Sequence, residues 1–119
     1  MEAKELRIGN YIHPLLDENE VAKVCYIGEN DFGYERISDE EYFQGNSIKQ
    51  IPLTEEWLLM LGANNTFYNN YLDFEYFEIY ESNGIWYVEK EGVILCELKY
   101  VHQLQNLYFA LTNDELITK

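Results

Sequence analysis

The chain is 119 residues long and carries 22 Asp and Glu against 8 Lys and Arg, a formal net charge of -14 at pH 7. With 47% hydrophobic and 16% aromatic residues it is too apolar for a disordered acidic tail, and its charge opposes phosphate contacts, which need clustered Lys and Arg. One α+β domain spanning 1–119 is expected, long enough to bury a core without metals or disulfides.

Leu6 to His13 reads as a first strand with a Gly9-Asn10 irregularity inside it, followed by an acidic loop from Pro14 to Glu20. Val21 to Ile27 is a second strand. Asn30-Asp31-Phe32-Gly33 signals a turn, after which Tyr34 to Ile37 returns as a third strand. Asp39, Glu40 and Glu41 open a polar excursion that ends near Gly45-Asn46, and Ser47 to Ile51 forms a short fourth strand.

A helix start follows at Pro52-Leu53-Thr54-Glu55-Glu56-Trp57-Leu58. Thr54 is placed to cap it, and Glu55 and Glu56 fall where the helix dipole favours negative charge. Gly62 stops this short central helix. Asn64 to Asn70 is a loop, and Leu72 to Glu81 a long strand. Asn83-Gly84 is a strong two-residue hairpin signal. Ile85 to Lys90, a tight turn at Glu91-Gly92, and Val93 to Lys99 complete a three-stranded antiparallel meander. Val101, Leu104, Leu107 or Tyr108, and Leu111 then recur at helical spacing in a C-terminal helix that Asn113 ends.

Lys4-Glu5-Leu6-Arg7-Ile8-Gly9-Asn10, Ile51-Pro52-Leu53-Thr54-Glu55-Glu56-Trp57-Leu58 and the segment from Tyr100 to Thr112 (YVHQLQNLYFALT), in this order and spacing, resemble a group of small proteins of phages and prophages of Bacteroidetes bacteria. The resemblance spans nearly the whole chain. It implies a setting, a small cytosolic protein of a mobile element, and brings no catalytic residues with it.

Few residue patterns carry chemistry. His13 and His102 are far apart and lack a Cys or second His at ligand spacing, so no metal is expected, and His102 is read as structural. Cys25 and Cys96 lie in apolar, strand-like runs and read as buried reduced thiols; a disulfide requires their strands to be neighbours. No nucleophile elbow or phosphate-binding glycine loop is present, and nothing marks an enzyme or a cofactor. The polar opening residues and the lack of a membrane-length apolar run make the cytoplasm the expected location.

The carboxylates remain. Alternation fails in Leu72-Asp73-Phe74-Glu75-Tyr76-Phe77-Glu78-Ile79, and a β-bulge at Tyr76-Phe77 repairs it. Asp73, Glu75 and Glu78 would then share the outer face of one strand at roughly 6.6 Å spacing, an acidic ridge able to imitate a nucleic-acid backbone. The same residues also read as a solvated face that guards a sheet edge. The expected function is non-enzymatic. An acidic phage-type protein would bind and inhibit a basic host protein, with a defence nuclease as an economical, anti-CRISPR-like target whose positively charged channel it blocks. The expected partner-binding residues are Asp39, Glu40, Glu41, Asp73, Glu75 and Glu78. The alternative is a homo-oligomeric module, a homodimer for instance, whose tyrosines form the interface. No direct nucleic-acid or membrane contact is expected.

Overall fold

The computed structural model describes residues 6–14, 20–28, 31–45, 48–65 and 71–118. The fold is α+β, and the described residues form two antiparallel five-stranded sheets and two helices. The chain divides into two compact units, Met1–Ile51 and Pro52–Lys119.

The first unit holds β1 (Tyr11–Pro14), β2 (Ala22–Ile27), β3 (Phe32–Arg36), β4 (Tyr42–Gly45) and β5 (Ile48–Lys49), in the order β4-β3-β2-β1-β5. Ile12, Ala22, Val24 and Phe32 form its core with Leu6. The first strand is shorter than its apolar run suggests. Gly9 has φ 100, a conformation closed to a strand, and the Asn10 side chain accepts a hydrogen bond from the Arg7 backbone N–H at 2.7 Å, closing a turn before Tyr11. A further difference lies at 42–45, expected within a polar excursion and found as a strand. Tyr34 and Phe43 face each other across β3 and β4 with ring centroids 5.7 Å apart, the aromatic pairing that stabilises sheets. Cys25 is exposed rather than buried, because alternation from the buried Ala22 and Val24 puts it, like Lys23, on the outer face; the register shift between Val24 and Tyr26 then leaves Tyr26 exposed as well. Both Cys25 and Cys96 are free thiols.

The second unit opens with α1 (Glu55–Met60). Thr54 Oγ1 accepts from the Trp57 N–H at 3.2 Å, and Gly62 at φ 104 follows the helix end. Its sheet runs β10-β9-β8-β7-β6, with β6 (Asn64–Asn65), β7 (Leu72–Asp73), β8 (Glu78–Ser82), β9 (Ile85–Lys90) and β10 (Val93–Leu98). Asn83 and Gly84 (φ 53 and 81) join β8 to β9, and Glu91 and Gly92 (φ 53 and 83) join β9 to β10. Positive φ at both central residues is what a two-residue hairpin turn requires. Alternate residues Leu72, Ile79, Val88 and Trp86 are buried on the inner face, and the Trp86 indole donates to the Leu53 carbonyl at 3.0 Å.

The long strand expected from Leu72 to Glu81 is instead a hairpin. β7 and β8 are antiparallel partners, with Leu72 opposite Ile79 and Asp73 opposite Glu78. The Phe74 N–H donates to the Phe77 carbonyl at 3.0 Å, and Asp73 Oδ1 accepts from the Glu75 N–H at 2.9 Å. A bulge would bury one aromatic ring; this turn buries Phe74 and Phe77 together, with centroids 5.6 Å apart.

The C-terminal helix, α2 (Val101–Thr112), ends where Asn113 takes the left-handed conformation at φ 62. Gln103 Oε1 accepts from the Tyr100 N–H at 3.1 Å at its start. Its buried stripe is Val101, His102, Leu104 and Gln105, whereas Leu111, expected on the inner face, is exposed. The stripe is rotated because Gln105 Nε2 donates to the carbonyl of Leu116, drawing the polar Gln105 inward beneath the C-terminal segment. Among the described residues no helix is long and apolar enough to cross a membrane.

Candidate partner-binding surface

The six acidic residues singled out by the sequence fall into two groups, one in each unit. In the first unit Asp39, Glu40 and Glu41 occupy the β3–β4 connection. Arg36, at the end of β3, grips two of them: its Nη2 pairs with Asp39 Oδ2 and with Glu41 Oε2 at 2.6 Å, and its Nε donates to Asp39 Oδ1 at 3.1 Å. The guanidinium also lies over the Phe43 ring, 5.0 Å from its centroid. The hydrogen bond from Arg36 holds the Asp39 carboxyl below its ordinary range, and the same bond raises Arg36. Glu40 sits at the tip at φ 58, exposed.

The second group is differently made. The Asp73–Glu78 pairing continues across the sheet, because the Asn83-Gly84 turn sets Glu78 opposite Glu89. Asp73, Glu78 and Glu89 therefore stand side by side on the outer face of three adjacent strands, about 4.8 Å from one strand to the next. No Lys or Arg forms an ion pair with any of the three among the described residues. Like charges placed directly opposite cost stability, so this row is not explained by folding. Glu75 joins it at the hairpin tip with φ 76, in a conformation where Gly or Asn is the usual residue. Asp73, Glu75, Glu78, Glu89 and Glu91 line one open concavity of about 180 Å³, with Lys90 as its cation.

Beside the carboxylates runs a second outward row. Tyr80 and Tyr87 pair across β8 and β9 with centroids 5.5 Å apart, and Tyr71 stacks on Tyr80 at 4.7 Å with an 8° interplanar angle. The Tyr71 hydroxyl donates to Glu89 Oε2 at 3.3 Å, tying the two rows together, and burial with the Glu89 charge pushes the Tyr71 phenol up. At the β10 edge Ile94 stands opposite Glu89, and Val93, Ile94 and Leu95 are 60%, 54% and 45% exposed. This face offers negative charge, aromatic faces and an apolar margin together.

The sequence puts Asp73, Glu75 and Glu78 along one strand; the structure places them across a hairpin and sets Glu89, Glu91 and three tyrosines beside them. The signal for the addition is present in the chain. A two-residue turn at Asn83-Gly84 sets Ser82 opposite Ile85, and counting back gives Tyr80 opposite Tyr87 and Glu78 opposite Glu89.

Among the described residues no group of three or more His, Cys, Asp and Glu side chains is placed to hold a metal ion. His102 is 2% exposed, its Nδ1 has no hydrogen-bond partner among the described residues, and burial pushes its pKa down to about 4. It is a neutral ring in α2, stacked on Tyr100 at 5.9 Å. Comparison of the chain with protein-family models, with curated proteins and with solved structures finds no match.

Proposed function

We propose that this chain is a non-catalytic binding protein that holds a basic partner protein on the outer face of its second sheet. The observation that carries this reading is the unpaired row Asp73, Glu78 and Glu89 beside the stacked tyrosines. A row of carboxylates without cations raises the local concentration of positively charged partners and speeds their docking. Tyrosine faces supply contact area at low entropic cost and accept guanidinium and ammonium groups by cation–π attraction. A basic protein whose channel binds nucleic acid is the partner most directly disabled by such an occupant, so inhibition of a nuclease is the activity to assay first. The row is tighter than the ridge expected along one strand, about 4.8 Å against roughly 6.6 Å, so attraction by charge density supports the reading more than imitation of phosphate spacing.

The test is capture of proteins from host lysate on the immobilised chain and on the variant Asp73→Asn/Glu78→Gln/Glu89→Gln, at low and high salt, with bound proteins identified by mass spectrometry. The expected result is one basic protein retained at low salt, released at high salt and absent from the variant. Equal retention by the variant, or a retained partner without a basic surface, overturns the reading. Recovery of the chain alone, with a doubled mass in solution, replaces it with the self-associating module, for which the exposed Val93, Ile94 and Leu95 edge would be the interface.

A further inference from the structure

The outward tyrosine row is a stack that ends at β9. Tyr71, Tyr80 and Tyr87 follow one another across the sheet with ring centroids 4.7 and 5.5 Å apart and planes 8° and 27° from parallel. Those separations match the spacing of neighbouring strands, about 4.8 Å, so the rings stand upright and face along the direction from strand to strand. Tyr80 is covered on both faces. Tyr87 is covered on one and turns the other toward β10, where the residue opposite it is Glu97. Glu97 is exposed, and among the described residues it forms no ion pair, Lys99 two positions along included. A tyrosine side chain reaches further from the backbone than a glutamate, so the outer half of the Tyr87 ring rises above the Glu97 carboxylate. Ring and carboxylate are the wall and floor of one open seat. β10 is the last strand of its sheet, so the seat lies at the sheet margin. Ile94, opposite Glu89 on the same outer face and 54% exposed, flanks it with apolar surface.

We infer that this seat takes an arginine side chain of the basic partner, and in preference to lysine; the inference rests on the basic-partner reading and names the group by which the partner is held. A guanidinium is planar. It can lie parallel to the Tyr87 ring and point one N–H edge at Glu97, so that stacking and paired hydrogen bonds to the carboxylate are satisfied in a single pose. An ammonium is compact and more strongly hydrated, and it has no plane to lay on the ring. The arginine stem then covers Ile94, as long cationic side chains cover apolar surface. Tyr87 and Glu89 both point outward, roughly 6.6 Å apart along β9. An extended partner segment with its arginine on Tyr87 therefore brings the residue two positions along to Glu89 and the carboxylate row. A second copy of the chain is poorly suited to fill the seat. Its arginines are Arg7 and Arg36, Arg36 is already held by Asp39 and Glu41, and two chains of net charge -14 repel each other.

The seat is tested on the whole chain by following tyrosine ring resonances in NMR titrations with Nα-acetyl-arginine methylamide and, separately, with Nα-acetyl-lysine methylamide. The expected result is a saturable shift of the Tyr87 resonances with the arginine probe, at least fivefold weaker binding of the lysine probe, and at least fivefold weaker arginine binding in Glu97→Gln and in Tyr87→Val. Tyr87→Phe, which keeps the ring, retains the arginine preference. Equal affinity for the two probes, or unchanged arginine binding in Glu97→Gln, overturns the assignment. Circular dichroism checks the folding of each variant; Glu97 is exposed, so Glu97→Gln decides the matter even where Tyr87→Val does not fold. A doubled mass of the chain without probe, lost in Glu97→Gln, would put a second copy in the seat and also overturns it. The two proposals fail separately. Capture of one basic protein from lysate that Glu97→Gln leaves undiminished, with no preference between the probes, keeps the partner reading and removes the arginine seat. Arginine preference that depends on Glu97, without any captured basic protein, keeps the seat as a guanidinium site and removes the partner reading.

Discussion

The two acidic clusters look alike in sequence and are opposites in structure. Asp39 and Glu41 are folded around Arg36, which itself rests on Phe43, so much of their charge is spent inside a local clasp. Asp73, Glu78 and Glu89 stand shoulder to shoulder, and among the described residues none of them forms an ion pair with a Lys or Arg, although Lys90 lines the same concavity. The first arrangement organises a turn; the second opposes folding and is expensive unless something outside the chain compensates it. A high acid count therefore says little about how much negative charge is available to a partner. The position of a single Arg decides it.

Acid exposes the largest difference between the units. His102 is neutral when folded, with a pKa of about 4 against 6.5 when exposed. In that window the unfolded chain binds a proton that the folded chain does not, so stability rises with pH between about 4 and 6.5 and is lost as pH falls. At about 1.36 kcal/mol per pH unit the loss across the window is on the order of 3 kcal/mol. His102→Met should flatten this limb, measured by urea unfolding at pH 4.5 and 7. The first unit responds lower. Asp39 has a depressed pKa, so its contribution is present above the ordinary Asp value and is lost only as pH falls below it. An acid limb in His102→Met as steep as that of wild type would show that His102 carries no such role.

The next effect is on association. Neutralising Asp73, Glu78 and Glu89 together should weaken partner binding on the order of thirtyfold, taking somewhat under 1 kcal/mol for each exposed charge contact. The matching triple variant in the clasp, Asp39→Asn/Glu40→Gln/Glu41→Gln, should weaken it by less than about threefold, since two of its charges are already engaged. Binding measured by calorimetry at two salt concentrations separates them. Equal losses would mean that net charge, and not the unpaired row, attracts the partner.

Removing the clasp cation sharpens the same point. Arg36→Gln should return the Asp39 carboxyl upward toward its ordinary range, followed by carboxyl NMR titration. It should also add salt-sensitive binding that wild type lacks, because Asp39 and Glu41 are released.

The elements that the sequence made legible are those whose ends carry their own chemistry. Thr54 caps α1, Asn83-Gly84 turns β8 into β9, Glu91-Gly92 turns β9 into β10, and Asn113 stops α2. The hairpin inside Leu72–Glu81 was hidden because its left-handed position is filled by Glu75, which gives no turn signal, and because burial of both Phe74 and Phe77 depends on Tyr108 from a distant helix. β4 was hidden by acidic neighbours whose charge Arg36 balances. For the candidate surface, the residue types were visible and their assembly was not: Glu89, Tyr71, Tyr80 and Tyr87 reach the site only through cross-strand register. His102 gave no pattern at all, since its burial follows from the rotated face of α2.

The smallest effect is the most discriminating, because its two readouts move in opposite directions. Glu75 holds φ 76 at the hairpin tip, where a side chain costs roughly 1 kcal/mol that glycine does not. Glu75→Gly should therefore raise stability by about 1 kcal/mol, less whatever is lost when glycine loosens the unfolded chain. The same change removes a carboxylate from the acidic concavity, so affinity for the basic partner should fall. Glu75→Gln keeps the backbone cost and loses the charge, so its binding should match the glycine variant while its stability stays near wild type. A residue retained only for the turn would not behave this way: glycine would improve folding and leave binding unchanged. Denaturant midpoints and partner-binding titrations on the same three proteins thus distinguish a charge held at a cost in folding from a turn that happens to contain a glutamate.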